Sequence, residues 1–138
     1  MSILTLPFQN FFGHYDLTLA VNAYTDNGRL GISLLCLEDG YLEPYATLTV
    51  NLPRETVKPN EAFIKDFDEG QGLLEFVLNN HLGTLCPERG FSGRCSYPKI
   101  AFNMEKLKEF DQEGTEKYLR GMEQQHKKPR NKSKKKER

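Results

Sequence analysis

Tryptophan is absent from the 138 residues, and cysteine is scarce. Cys36, Cys86 and Cys95 are an odd count, and Met1 to Asn10 shows no basic stretch leading into a long apolar one. With no signal peptide expected, this points to free thiols in a reducing cytoplasm rather than a disulfide framework. No run of 18 apolar residues occurs, which argues against a membrane-spanning helix. Also missing are the Gly-x-Ser-x-Gly turn of α/β hydrolases, a phosphate-cradling glycine loop and a His-Glu-x-x-His pair. The reading is therefore of a protein that is not an enzyme.

Net charge is missing too, but only formally. Lys+Arg and Asp+Glu each number 19. Residues 1–120 carry 17 acidic against 11 basic side chains, whereas residues 121–138 carry 8 basic against 2 acidic. An acidic body thus trails a basic tail. Such asymmetry informs partners and solubility rather than fold.

What is present is mostly strand pattern, with nine Phe and six Tyr as bulky core material. Tyr15–Tyr24 alternates apolar and polar residues, as a half-buried strand does. Thr25-Asp26-Asn27-Gly28 follows, and Asn-Gly is a strong hairpin signal. Arg29–Leu37 is the return strand, Glu38-Asp39-Gly40 a second tight turn, and Tyr41–Leu52 a third strand. Pro44 within it, lacking an N–H, marks an edge or a bulge. Ala62–Phe67 reads as either strand or turn.

Between Gly72 and Leu82 the period becomes helical, with Gly83 as the expected C-cap. Leu85–Ser96 reads as a Gly- and Pro-rich loop, and Tyr97–Phe102 as a fourth strand. Asn103 is a good N-cap for a last helix, Met104–Leu119, which Gly114 weakens. The order β-β-β-α-β-α predicts an α+β fold, an antiparallel β-meander with two helices packed on one face. The expected division is one domain over 1–120 and a disordered Lys/Arg-rich tail over 121–138.

Four groups of residues could carry chemistry. His81, Cys86 and Cys95 offer nitrogen and sulfur ligands for zinc, although their spacing is not that of a zinc knuckle. The same Cys86 and His81 could pair as nucleophile and base. Asp66, Asp68 and Glu69 could hold a metal for a nuclease, against the plainer reading of a solvated acidic face. Lys127, Lys128, Arg130, Lys132, Lys134, Lys135 and Lys136 form a tract able to bind RNA or DNA phosphates without base specificity. Finally, Glu38, Asp39 and Glu43 on one turn, with Asp66, Asp68, Glu69 and Glu75 on another, could present a negative surface that mimics nucleic acid to a basic partner.

The stretches Gly40–Leu52, Asn80–Gly83 and Tyr97–Asn103 resemble a family of small bacterial proteins defined only as a domain of unknown function. The resemblance covers about residues 15–110. Members similar to this chain are carried on conjugative plasmids and integrative elements of Gram-positive bacteria. Such elements carry proteins that defeat host defence. The resemblance therefore implies a non-enzymatic anti-CRISPR or anti-restriction protein. It would bind and inhibit a host nucleic-acid-targeting nuclease, most concretely a type II CRISPR effector, through the acidic body. The alternative is a nucleic-acid-binding accessory protein of conjugative transfer, acting through the tail. No membrane partner is expected, and an exposed edge strand could pair two copies.

Overall fold

The computed structural model describes residues 3–123, the Glu69 side chain excepted. Four strands, β1 (Leu6–Asn10), β2 (Gly13–Ala23), β3 (Leu30–Glu38) and β4 (Tyr41–Thr47), form an antiparallel up-and-down sheet in that order. The chain then enters a second antiparallel sheet. Its strands are β5 (Thr49–Val50), β6 (Glu61–Ile64), β7 (Gly83–Ser92) and β8 (Cys95–Phe102), in the order β5-β6-β8-β7. Helix α1 (Leu73–Asn79) lies between β6 and β7, and α2 (Met104–Phe110) follows β8. A further helix, α3, covers residues 112–123.

The class is α+β with antiparallel pairing, as the alternation predicts. It has two sheets where one meander was expected. The expected third strand, Tyr41–Leu52, is cut in two at Leu48, which is fully buried. There the backbone leaves β4 and crosses to β5. Ile32 of β3 would lose its partner at that point, since the β3–β4 ladder ends at Ser33 and Thr47. Two replacements restore it: Leu48 N–H donates to Ile32 O at 2.9 Å, and Ile32 N–H donates to the Thr49 hydroxyl at 3.1 Å. Thr49 is buried and also meets the Tyr24 hydroxyl at 2.8 Å. A buried polar group is tolerated where its bonds are made in this way.

Turn chemistry explains the hairpins. Asp39 and Gly40 both take positive φ, 53° and 83°, the two-residue geometry whose twist matches flanking strands. The Asn27-Gly28 signal works differently, because only Gly28 has positive φ. That loop is wider, closed by Tyr24 N–H to Arg29 O at 2.8 Å and Gly28 N–H to Tyr24 O at 2.7 Å. Pro44 lies both on an edge strand and at a bulge: Leu35 pairs with Pro44 but Leu34 with Ala46, leaving Tyr45 as the extra residue.

Leu85–Ser96 is not a loop but most of a hairpin. β7 pairs with β8 on either side of an irregularity between Leu85 and Arg89, where Cys86, Pro87 and Glu88 bulge out. Pro87 cannot donate to a ladder, which is why strand and turn chemistry alternate here. Ala62–Phe67 resolves as strand β6 over its first three residues. Helix α1 ends at Asn79, earlier than Leu82. The left-handed residue after it is His81 (φ 59°), while Gly83 opens β7.

Asn103 caps α2 as predicted, its side chain accepting from Glu105 N–H and Lys106 N–H at 3.1 and 3.2 Å. The break in the last helical stretch falls at Asp111, not Gly114. Both sheets and the helices close on one core, from Phe8 through Leu17, Leu19, Leu34, Leu48, Ile64, Phe76, Ile100 and Leu107 to Tyr118. No helix among the described residues is long and apolar enough to cross a membrane.

Candidate functional site

The β1–β2 and β3–β4 turns lie at the same end of the first sheet, as up-and-down connectivity requires. The first turn carries Phe11 and Phe12, which are 93% and 83% exposed. Asn10 holds the turn: its Oδ1 accepts from Phe12 N–H at 2.8 Å and Gly13 N–H at 3.1 Å. An asparagine at the first position and a glycine at the fourth suit this geometry. The two rings touch edge to face, with centroids 5.6 Å apart. Apolar surface is thus presented outward on a hydrogen-bonded turn. The second turn adds Tyr41, 73% exposed, and Leu42. Glu38, Asp39 and Glu43 surround these two residues, all exposed.

Below the Phe11-Phe12 turn is a cleft of about 460 Å³. Tyr15 and Tyr45 form its aromatic wall, their centroids 4.8 Å apart and planes tilted by 53°. Phe8 buttresses Tyr45 edge-on at 6.1 Å, and Phe76 of α1 packs on Phe8 at 5.4 Å. The opposite lip comes from the segment before α1 and includes Asp68, Gln71 and Gly72. Asn10 Nδ2 donates to the Tyr45 hydroxyl at 3.0 Å. Burial pushes the Tyr45 phenol above its usual pKa; the neighbouring Tyr15 adds to this and the Asn10 bond offsets part of it. Tyr45 therefore stays neutral and keeps its own proton to donate.

The two acidic groups sit on different elements of the chain. Glu38, Asp39 and Glu43 share the β3–β4 hairpin. Glu43 pairs with Cys36, and Cys36 with Leu17, which places Glu43 on the core-facing side of the sheet. Asp66 is half-buried, Asp68 is exposed with φ 54°, and Glu75 is exposed in the first turn of α1. The Glu69 side chain lies outside the described part. So do Lys127, Lys128, Arg130, Lys132, Lys134, Lys135 and Lys136.

His81, Cys86 and Cys95 are not brought together. Cys95 pairs with Ser92 at the β7–β8 turn, whereas Cys86 lies in the bulge beside Lys99 and Glu61. The four-residue step from Cys95 to Lys99 spans roughly 13 Å of strand. A shared zinc needs both sulfurs about 2.3 Å from the metal. Among the described residues no group of three or more His, Cys, Asp or Glu side chains is placed to hold a metal ion.

Cys86 itself is set in a structural cluster. Its Sγ–H points to Glu61 Oε2 at 3.8 Å, and Lys99 Nζ lies 3.7 Å from Glu61 and 3.9 Å from Glu88. Burial, then Glu61, push the Cys86 thiol up, partly opposed by Lys99. That direction is opposite to the lowered pKa of a reactive thiol.

Residue-by-residue reading of the sequence missed the aromatic end. The signal available was Asn10-Phe11-Phe12-Gly13, a turn quartet with two phenylalanines at its tip. It goes unnoticed because the short β1 before it shows no clear alternation.

No curated protein matches the chain, and no solved structure does. A family model described as a domain of unknown function, DUF4313, matches residues 18–122. That span includes the second half of β2, β3 to β8, and Tyr45, Asp68, Gln71 and Gly72, but begins after the Phe11-Phe12 turn and Tyr15. With most of its length matched, this chain belongs to the DUF4313 family.

Proposed function

We propose that the protein is a non-enzymatic inhibitor that binds a nucleic-acid-targeting nuclease of host defence, a type II CRISPR effector being the specific instance. The observation that carries the reading is the pair of outward phenyl rings on the Asn10-locked turn, beside the exposed Glu38, Asp39 and Glu43. Apolar aromatic anchors fixed before binding supply affinity at low entropic cost. Acidic neighbours steer that end toward a Lys/Arg-lined nucleic-acid channel and suppress other partners. Support for the nuclease as target comes from the acidic body of the sequence and from the resemblance to proteins of mobile elements.

The test mixes purified protein with the guide-loaded effector. A complex that co-elutes on size-exclusion chromatography, with loss of target cleavage near equimolar ratio, is expected. Absence of any complex overturns the reading. Salt-sensitive DNA binding that disappears on deleting residues 121–138 favours instead an accessory role in conjugative transfer.

A further inference from the structure

We infer that the cleft between the β1–β2 hairpin and the segment before α1 is a receptor for a cationic side chain, an arginine supplied by a protein partner. Its walls are aromatic: Phe11, Phe12, Tyr15 and Tyr45. Aromatic faces carry negative quadrupole potential and attract cations, and a guanidinium plane also stacks on them. Among the described residues the one charged group in the lining is the Asp68 carboxylate, and no Lys, Arg or His of them contributes. Lys65, the nearest cation along the chain, has its ammonium over the Phe67 ring at 5.1 Å and is not part of the lining.

Acceptors for guanidinium N–H groups are also in place. The side chains of Gln9, Asp68 and Gln71 make no hydrogen bond among the described residues. Asn10, by contrast, is already committed to Phe12, Gly13 and Tyr45. A volume of about 460 Å³ fits within the usual range of ligand clefts, roughly 300–1,000 Å³. An anionic ligand would find no positive partner there among the described residues, and a purely apolar one would leave Asp68 to be desolvated unpaired. The inference rests on the binding-protein reading only for the source of the arginine.

The experiment is therefore independent of any nuclease. The full-length protein is titrated with N-acetyl-arginine amide while the Tyr15 and Tyr45 ring resonances are followed by NMR. N-acetyl-norleucine amide, uncharged and of similar length, is the comparison. Saturable shifts with the arginine probe, and binding at least about threefold weaker for norleucine, are expected. Asp68→Asn weakens arginine binding by about three- to tenfold, and asparagine tolerates the left-handed backbone at that position. Glu105→Gln, on α2, changes nothing. Equal binding of the two probes, indifference to Asp68→Asn, or no saturable shift overturns the inference. If the arginine probe binds while the effector does not, the cleft stands and the nuclease reading falls.

Discussion

The Asp111 carboxylate joins the helical end of the chain to the edge of β2: its Oδ2 accepts the Val21 N–H at 2.9 Å, across 90 residues of sequence. The pairing of β1 with β2 stops at Leu17, so β2 beyond it is an uncovered edge. The other oxygen, Oδ1, caps α3 by accepting Gly114 N–H at 3.0 Å. One side chain thus starts α3 and protects a strand edge, while the Asp111 backbone N–H closes α2 on Leu107 O. Replacement Asp111→Ala is expected to cost about 2 kcal/mol, from a lost cap and an orphaned N–H. Urea unfolding at neutral pH measures it.

Gly114 permits this approach. A Cβ there would meet Asp111 Oδ2 and come within 2.6 Å of Val21 O. Gly114→Ala, normally favourable in a helix, should instead destabilise by about 1–3 kcal/mol. A gain in stability by denaturant titration would contradict the close contact.

Phe11 and Phe12 contribute little to the core. Phe11→Ser with Phe12→Ser should leave unfolding free energy within about 0.5 kcal/mol of the parent. Partner affinity should drop at least about tenfold. Calorimetric titration against the effector, alongside thermal melting, separates the two effects.

Tyr118 on α3 donates its hydroxyl proton to Pro59 O, tying the helix to the connection between β5 and β6. Burial raises its pKa from 10.0 to about 12. The native state therefore holds this proton more tightly than the unfolded chain. The resulting stability is complete below the unfolded pKa and declines as pH climbs through that of the folded state. Unfolding midpoints taken between about pH 8 and about pH 11.5 should fall at the alkaline end, and less so in Tyr118→Phe.

Cys86, pushed up by burial and by Glu61, should react more slowly with iodoacetamide at about pH 8 than free cysteine does. Glu61→Gln removes the neighbouring negative charge and should accelerate it. Mass spectrometry of the peptide containing Cys86 provides the rate.

Local rules recovered what depends on neighbours in sequence. Alternation from Tyr15 located β2, the Asp39-Gly40 pair located a tight turn, and Asn103 located the start of α2. Long-range rules were needed elsewhere. Nothing around Leu48 says that the chain changes sheets, since its burial comes from residues far along the chain. β7 was hidden because Pro87 and the glycines Gly83 and Gly90 obscure the strand period. The helix break was visible as a weakness at Gly114, but its position depends on Val21. The aromatic cleft was least legible: Tyr15 and Tyr45 meet across β2 and β4, strands not even adjacent in their sheet.

Composition and periodicity alone determined the α+β class, the antiparallel hairpins, the scarcity of cysteine and the division of charge, because each follows from side-chain type and spacing within a few residues. Tertiary structure decided the second sheet, the separation of His81, Cys86 and Cys95, and the cleft that sets Tyr15 and Tyr45 against Asp68. Those depend on which surfaces are buried together, and burial is a property of the whole packed chain.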